Sequence, residues 1–185
     1  MNNIHFSLFT FHYLMKKIVS VSLGSSRRDH YVKSRFLDTD FEIHRTGTDG
    51  DFKKAVTLLK DLDGQVDAIG LGGIDIYLYS KAKRYALRDG LRLKEAVKIT
   101  PVVDGSSLKN TLERETVEYL VRENIINIKN KKILMVCAMD RFGMASSLVE
   151  FGATVTFGDM MFTLDVDKPI YSLEELEIQA DTILP

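Results

Sequence analysis

Residues 131–159 read KKILMVCAMDRFGMASSLVEFGATVTFGD, and they carry the clearest fold signal in the chain. An apolar run at 133–136 leads through a turn to a helical pattern at 142–151, and a second apolar run at 154–157 stops at Gly158-Asp159. Strand, helix and strand in this order are the layout of a βαβ unit, in which the two strands lie parallel. This segment therefore predicts Rossmann-like connectivity.

The same alternation extends over the earlier part of the chain. Further apolar runs lie at 18–23, 41–44, 66–71 and 100–103, and helical patterns lie between them at about 29–38, 51–62, 80–98 and 107–123. Apolar strands separated by helices are typical of a parallel sheet covered on both faces. We therefore predict that residues 15–167 form an α/β domain: a Rossmann-like, doubly wound, mainly parallel sheet with helices on both faces.

The two ends of the chain fall outside this predicted domain. Residues 1–14 are largely apolar, are too short to span a bilayer, and have no small-residue cleavage site of the kind that signal peptides carry. We interpret them as a non-native or disordered leader before Met15, and a short membrane-surface anchor is the alternative. Residues 168–185 predict a loop and an acidic helix that lead to a C-terminal part missing from this chain.

Composition limits the partners and the compartment. The 185 residues include 25 Lys and Arg against 26 Asp and Glu, a net charge of -1, so no bulk positive field attracts nucleic acid or an anionic membrane. The single Cys137 excludes an internal disulfide and a Cys-based zinc site, and the four histidines are too few for a His-rich metal centre. We expect a cytoplasmic protein with no metal site. The sequence does not decide between a monomer and a homo-oligomer.

Polar residues follow every predicted strand, and the carboxyl ends of parallel strands share the edge at which an open α/β sheet binds ligands. Gly24-Ser25-Ser26 follows the first strand and can form a nest of amides for an anion, with Arg27 and Arg28 adding positive charge. The alternative is an ordinary turn with a serine cap and solvated arginines. We predict that the residues binding a small anionic metabolite at this edge are Ser25, Ser26, Arg27, Arg28, Ser106 and Ser107.

A second group of candidates follows the later strands. Gly72-Gly73-Ile74-Asp75 ends one strand, and Asp104 ends the next, close in sequence to Ser106, Ser107 and Lys109. A carboxylate beside two hydroxyls and an amine can orient a hydroxylated ligand, and a cap-and-turn cluster is the alternative. Lys109 is the available general base if burial beside other cations lowers its pKa.

The βαβ segment also contains a candidate dinucleotide site. In a Rossmann unit the acid after the second strand binds the ribose hydroxyls, and Asp159 holds that position. We predict that Asp140, Arg141, Gly143 and Asp159 bind the cofactor, NAD or NADP, and Asp159 would favour NAD by repelling a 2′-phosphate. Of the usual G-x-G-x-x-G only Gly143 is present in the turn 137–143, so a Rossmann-like unit that binds no nucleotide is the alternative.

Several longer blocks carry a resemblance to a known family. They are SVSLGSSRRDH (20–30), GTDGD (47–51), GLGGID (70–75), KRYALRDG (83–90), TPVVDGSSLKNTLER (100–114) and DRFGMASSLVEFGA (140–153). From Met15 onward the chain resembles a bacterial family labelled quinate 5-dehydrogenase, which is quinate/shikimate dehydrogenase-like. The resemblance implies hydride transfer between NAD(P) and the C5 hydroxyl or ketone of a cyclic polyhydroxy acid.

The resemblance also implies roles for individual residues. Gly47-Thr48-Asp49-Gly50 is similar to the aspartate part of the family's N-T-D-x-x-G motif, so Asp49 would be catalytic, and Ser25 and Ser26 would hold the substrate carboxylate. The family's lysine motif, N-x-T-x-P-x-K, does not precede it. The first hypothesis is thus an NAD(P)-dependent oxidoreductase using Asp49, Asp104 and Lys109. The second is a non-redox binding protein or enzyme for a small anionic metabolite, without a dinucleotide.

Overall fold

A computed structural model describes residues 15–81 and 83–184. The predicted leader at 1–14 lies outside these residues. The nine strands are β1 (Lys16–Ser22), β2 (His30–Phe36), β3 (Thr39–Gly47), β4 (Ala68–Gly72), β5 (Tyr77–Tyr79), β6 (Arg84–Ala86), β7 (Val102–Val103), β8 (Lys132–Met135) and β9 (Thr154–Phe157) within the described part. The seven α-helices there are α1 (Phe52–Leu62), α2 (Arg88–Glu95), α3 (Ser106–Asn110), α4 (Leu112–Arg122), α5 (Phe142–Glu150), α6 (Asp159–Leu164) and α7 (Leu173–Ile183).

The largest sheet contains five strands in the order β2-β3-β1-β4-β7. Its pairs are parallel except β2 with β3, which is antiparallel. In β1, Val19 and Val21 are buried, and they pack in one apolar cluster with Ala55 and Leu59 of α1. The carboxyl ends of β1, β3, β4 and β7 therefore face the same edge, as the parallel pairing requires.

The helix predicted at 29–38 is wrong, because this segment forms strand β2. Leu37 and Asp38 have φ values of 46° and 58°, and two consecutive residues in this region make the tight two-residue turn of a β-hairpin. The turn folds β2 back onto β3 in register, with Phe36 opposite Thr39. Every residue of β2 is exposed, so the strand forms an open edge instead of a helix covering the sheet.

The helix predicted at 80–98 is also too long. Tyr77–Tyr79 and Arg84–Ala86 pair as an antiparallel hairpin, and only Arg88–Glu95 is helical. The guanidinium of Arg84 lies 4.3 Å from the centroid of the Tyr77 ring, a distance at which the cation is attracted to the ring face. Arg84 therefore belongs to strand β6, and the helix begins only at Arg88.

The βαβ unit predicted in residues 131–159 is present, but it forms a sheet of its own. Strand β8 runs parallel to β9, with Ile133 opposite Val155, and α5 connects them. Phe157 also forms an antiparallel bridge with Ile170. Within the residues that the structure describes, β8 and β9 make no pairing with the five-stranded sheet.

The predicted doubly wound sheet is therefore wrong as the overall fold. The described residues form one mixed five-stranded sheet and two sheets of two strands each, the hairpin β5–β6 and the parallel pair β8–β9. The antiparallel edge strand arises from the two-residue turn at Leu37 and Asp38, whereas the separation of β8–β9 depends on which strands pair in the folded chain. Local sequence patterns specify strands, but they do not specify which strands share hydrogen bonds.

The apolar core of residues 15–81 and 83–184 is divided into two clusters, in agreement with the separate sheets. The first contains β1, β4, α1 and α2, with Ile69, Leu59 and Leu93 almost completely buried. The second surrounds α5 and α7, with Phe157 and Leu176 at its centre. Tyr85 of the hairpin β5–β6 packs in the second cluster, so an element from the first part of the sequence joins the core of the second.

The C-terminal helix predicted after residue 168 is present as α7. Ser172 caps it, since its hydroxyl accepts a hydrogen bond of 3.1 Å from the amide of Glu175. Asp181 on this helix accepts hydrogen bonds from the Tyr85 hydroxyl at 2.6 Å and from Lys83 Nζ at 2.7 Å. Of the helices between residues 15 and 184, none is long and apolar enough to cross a membrane.

Candidate functional site

Lys109 connects the loop after β4 with the turn after β8. Its Nζ donates hydrogen bonds to Asp75 Oδ1 at 2.8 Å and to Asp140 Oδ1 at 2.6 Å. Lys109 lies on α3, Asp75 follows β4, and Asp140 lies in the turn after β8. The side chains of Lys109, Asp75 and Asp140 are 24%, 22% and 25% exposed, respectively. We call these three residues the junction triad.

Burial and neighbouring charges in the junction triad shift the pKa values of Asp75 and Lys109. Burial raises the pKa of Asp75, and the nearby Asp140 carboxylate raises it as well. The Lys109 ammonium lowers the pKa of Asp75, but the net result lies above the usual value for an aspartate. Burial lowers the pKa of Lys109, but the hydrogen bonds to Asp140 and Asp75 outweigh burial, so that pKa is raised. Lys109 is therefore protonated at neutral pH.

This result corrects the predicted role of Lys109 as a general base. That role required cations beside the amine, whereas its hydrogen-bond partners are two carboxylates, which stabilise the ammonium form. In this arrangement Lys109 can donate a hydrogen bond or a proton. The pKa of Asp75 is raised toward neutral pH, so Asp75 is a better candidate than Lys109 for accepting and returning a proton.

Asp104 positions the loop that carries Asp75. Its Oδ2 accepts hydrogen bonds from the amides of Ile76 at 2.6 Å and Tyr77 at 3.0 Å, and its Oδ1 accepts from the Ser106 hydroxyl at 2.7 Å and the Ser106 amide at 3.1 Å. Burial would raise the pKa of Asp104, but these hydrogen bonds lower it further than burial raises it. Each carboxylate oxygen of Asp104 accepts two hydrogen bonds from this chain, which agrees with the cap-and-turn alternative. Neither oxygen is left to accept a hydrogen bond from a ligand, as the predicted catalytic role of Asp104 requires.

Ser106 and Ser107 take up different positions at the start of α3. Ser106 is buried against Asp104, while Ser107 is exposed, and its carbonyl accepts a hydrogen bond of 2.8 Å from the Thr111 hydroxyl. The hydroxyl of Ser106 is thus committed to a structural contact. Of this predicted pair, Ser107 is the residue whose side chain is open to solvent.

The loop after β1 is closed by contacts from its own neighbourhood. The amides of Gly24, Ser26 and Arg27 donate to Ser22 Oγ at 3.1 Å, to Asp49 Oδ1 at 2.8 Å and to Ser25 Oγ at 3.2 Å. The backbone hydrogen bond from Ser26 is the main reason that the pKa of Asp49 is lowered. These amides, which the anion nest would need, already have acceptors, and Asp49 holds the loop in place.

The predicted edge nevertheless forms a continuous surface. A Cβ atom on Gly73 would lie 3.1 Å from the amide nitrogen of Gly24, so the loops after β1 and β4 are in contact. Arg27 and Arg28 are exposed on the first of these loops, and Asp75 follows on the second. The structure brings Asp49, Ser25 and Ser26 together on one side, and places Asp104, Ser106 and Lys109 together with Asp75 on the other.

The predicted cofactor residues have contacts within the chain. Asp159 accepts hydrogen bonds from the amides of Ala138 at 3.0 Å and Met139 at 2.7 Å, which are amides of the turn that a pyrophosphate would approach. Arg141 forms an ion pair with Glu113, and Asp140 binds Lys109.

Gly143 is predicted from the glycine motif to bind a cofactor, but in the structure it allows two helices to pack closely. A Cβ atom at this position would lie 2.3 Å from the carbonyl oxygen of Asn110, so glycine is needed for the close approach of α5 to α3. α3 carries Lys109, and Asp140 precedes α5 in the chain. The glycine therefore helps to hold the junction triad together.

A cavity of about 300 Å³ lies beside the junction triad. Its walls are largely apolar and come from the hairpin, the turn after β8, α6 and α7; they include Leu78, Met139, Met160, Leu176, Ala180 and Ile183. Asp75, Asp140 and Asp159 also line it, as does Cys137, whose thiol pKa is raised by burial. Among residues 15–81 and 83–184, no group of three or more His, Cys, Asp or Glu side chains is placed to hold a metal ion.

Two family models match this chain. A model described as Domain of unknown function (DUF8753) matches residues 17–104, and another described as Domain of unknown function (DUF8754) matches residues 107–185. Asp75 falls in the first match, and Lys109 and Asp140 fall in the second. No curated protein matches the chain. The junction triad therefore combines residues from both matched regions.

Asp75 is the residue of the junction triad to which sequence reasoning assigned no role. It lies in the loop that follows β4, in GLGGID, and Asp104 follows β7, so a carboxylate in the loop after a strand was the available signal. Its importance depends on Lys109 and Asp140. Lys109 lies 34 residues after Asp75 in the sequence, and Asp140 lies 31 residues after Lys109. Proximity over such separations comes only from the tertiary structure.

Proposed function

We propose that this protein binds a small molecule in the cavity beside the junction triad and transfers a proton to or from it, without a dinucleotide. The observation that carries the proposal is the position of Lys109 Nζ between Asp75 and Asp140, two carboxylates that line a largely apolar cavity. Small-molecule sites are typically apolar pockets in which a few polar groups converge. Ionisable groups with shifted pKa values in such a pocket are candidates for proton transfer.

Each member of the triad has a distinct part in this proposal. Asp75 accepts or donates the proton, because its raised pKa brings its two protonation states closer together in energy at working pH. Lys109 supplies a fixed positive charge that stabilises the carboxylate form of Asp75. Asp140 holds Lys109 from within the second matched region, while Asp75 binds it from the first, so the geometry depends on both regions.

An anionic ligand, as expected from the sequence, does not suit this cavity. The described residues that line it include three aspartates and no lysine, arginine or histidine. The Lys109 ammonium is already paired with two of those carboxylates. A carboxylate or phosphate would therefore meet more negative than positive charge at the polar part of the wall.

The second candidate is an NAD(P)-dependent oxidoreductase of the quinate/shikimate type, acting on a cyclic polyhydroxy acid. The observation that favours it is a lysine paired with aspartates between the two halves, since the family that the sequence resembles uses a Lys–Asp pair. In the reduction, hydride from the cofactor would add to the ketone carbon while the Lys109 ammonium gave a proton to the ketone oxygen. The turn at Ala138 and Met139 would have to release Asp159 to admit a pyrophosphate.

Calorimetric titration separates these two candidates. The chain is titrated with NAD⁺, NADH, NADP⁺ and NADPH, each with and without quinate or shikimate. We expect no saturable heat from any dinucleotide, because the turn amides and Asp159 are paired with each other. Saturable dinucleotide binding would replace the first proposal with the second.

A fluorescent apolar probe tests whether the cavity binds ligands at all. N-phenyl-1-naphthylamine is neutral in water above its weakly basic range and brightens in apolar surroundings, so we expect saturable fluorescence with the unchanged protein. Thr163→Phe narrows the cavity from α6, while Thr182→Phe makes the same change on α7 outside the cavity. The first substitution should abolish saturable binding and the second should preserve it. Equal binding by both variants would mean that the probe lies elsewhere, and the proposal would be wrong.

A further inference from the structure

The cavity is large enough for a specific apolar ligand. Its volume is about 300 Å³, and an engineered apolar cavity of roughly 150 Å³ in another protein binds benzene. A bicyclic ring or a chain of about eight carbons would fill it on this scale. Leu176 and Ala180 of α7, together with Met160 of α6, offer such a ligand buried aliphatic surface.

The charges in the wall specify the polar group of the ligand. Asp75, Asp140 and Asp159 line the cavity, and no basic side chain does so among the residues that the structure describes. Asp159 uses both of its oxygens on backbone amides. Oδ1 of Asp75 and Oδ1 of Asp140 each accept a hydrogen bond from Lys109, which leaves Oδ2 of each carboxylate to accept one from a second donor.

A protonated amine satisfies these groups better than other small polar groups do. It donates to both remaining oxygens, and it offsets the excess of carboxylates over the single Lys109 ammonium. Hydrogen bonds between charged partners are roughly twice as strong as those between neutral ones. A hydroxyl can donate only one hydrogen bond and brings no charge.

We propose that the ligand of this cavity is an amine with an apolar body, its ammonium against Asp75 and Asp140 and its body between α6 and α7. This inference rests on the proposed binding function of the same cavity. It adds the chemical class of the ligand, which the matched family descriptions do not give and which differs from the anionic metabolite that the sequence predicts.

The test compares three probes of equal chain length at neutral pH. n-Octylamine, 1-octanol and octanoate compete with N-phenyl-1-naphthylamine for the unchanged protein. We expect n-octylamine to bind on the order of tenfold more tightly than 1-octanol, and octanoate to bind most weakly. In Asp140→Asn, the affinity for n-octylamine should fall to that for 1-octanol, while the affinity for 1-octanol stays the same.

Matched variants keep the result interpretable. Asp167→Asn removes the same charge from an exposed loop residue outside the cavity, and it should leave the ranking of the three probes unchanged. Asp75→Asn replaces Asp140→Asn if the latter fails to fold. If 1-octanol or octanoate binds as tightly as n-octylamine, the amine proposal is wrong while the cavity remains a binding site. If no probe competes and Thr163→Phe changes nothing, the binding function itself is wrong.

Discussion

Asp159 illustrates how the role of a residue depends on its partners. Its place after β9 is the place of the ribose-binding acid in a Rossmann unit, which is why the sequence predicts a cofactor contact. In the structure its carboxylate accepts hydrogen bonds from Ala138 and Met139, both of which are buried. Buried amides need acceptors, so this carboxylate stabilises the turn that carries Asp140.

We predict that Asp159→Ala lowers the free energy of unfolding by about 1–3 kcal/mol, because two buried amides lose their acceptors. Asp159→Asn should lower the free energy of unfolding by less, since the amide oxygen of its side chain still accepts one hydrogen bond. Urea denaturation followed by circular dichroism measures both. Asp167→Ala serves as the control and should stay within about 0.5 kcal/mol of the unchanged protein. Equal stability of Asp159→Ala and the control would contradict the proposed role of Asp159.

Glycine at 143 is required by packing between helices. We predict that Gly143→Ala lowers the free energy of unfolding by about 1–3 kcal/mol, since a new Cβ would lie 2.3 Å from the Asn110 carbonyl oxygen and the helices must move apart. Gly70→Ala is the matched control, because the nearest atoms to its Cβ would be 3.8 Å away. Chemical denaturation of the two variants gives the comparison, and a Gly143→Ala protein as stable as Gly70→Ala would refute it.

The raised pKa of Asp75 is open to direct measurement. Burial and Asp140 raise this pKa, and Lys109 lowers it by stabilising the carboxylate. Removing the cation in Lys109→Met should therefore raise the pKa of Asp75 further above the usual value of about 3.9. Carboxyl ¹³C NMR during a pH titration follows this group. Lys131→Met removes an exposed lysine and should leave the Asp75 pKa unchanged; a downward shift in Lys109→Met would exclude this charge arrangement.

Among the elements, the hairpin β2–β3 is the one that local patterns describe least well. Residues 29–38 contain scattered apolar side chains that fit a helical pattern, yet the turn at Leu37 and Asp38 folds them into an edge strand. The turn has two left-handed residues and neither is glycine, so the usual signal of such a hairpin is absent. Lys33 and Arg35 place charge on this open edge, which hinders pairing with another chain.

Hydrogen exchange should separate this edge strand from the centre of the sheet. β2 has no buried residue and pairs on one side only, whereas β1 lies between β3 and β4 and contains buried Val19 and Val21. Local opening requires less free energy where few apolar contacts are lost. We expect amides of β2 to exchange much faster than those of β1 when measured by mass spectrometry. Equal protection of the two strands would mean that something covers β2.

At the scale of the whole molecule, the two apolar clusters are connected by a few specific elements. The hairpin β5–β6 precedes α2 in the chain, but its Tyr85 packs in the cluster around α5 and α7. The junction triad makes a second connection through Lys109. The matched regions 17–104 and 107–185 are therefore not independent in space, and both contribute to one site.

Tyr85 gives a test of this connection. Tyr85→Phe removes the hydrogen bond to Asp181 and should lower the free energy of unfolding by about 1 kcal/mol. Tyr85→Ala also removes the buried ring and should lower it by about 3–5 kcal/mol. The loss should appear as faster hydrogen exchange in α7, which Tyr85 contacts. If exchange in α7 is unchanged in Tyr85→Ala, the hairpin does not stabilise the second cluster.

Local patterns in the sequence determined most of the individual elements. Helices predicted at 51–62 and 142–151 correspond to α1 and α5, and the βαβ unit in residues 131–159 is present with its strands parallel. The helix predicted at 107–123 is interrupted at Thr111, which separates α3 from α4. The placement of Asp104, Ser106 and Lys109 after a strand followed from the same patterns. These features depend on residues near one another in the chain, where periodicity and turn residues act directly.

Only the tertiary structure decided how these elements combine. The separation of β8–β9 from the larger sheet and the division of the core depend on hydrogen bonds and packing between distant segments. The same holds for the junction triad, because Asp75 acquires its raised pKa from burial and from neighbours far away in the sequence. The sequence alone determined which chemical groups follow each strand. The grouping of Asp75, Asp140 and Asp159 around one cavity came from long-range packing, whose contacts leave no local periodicity in the chain.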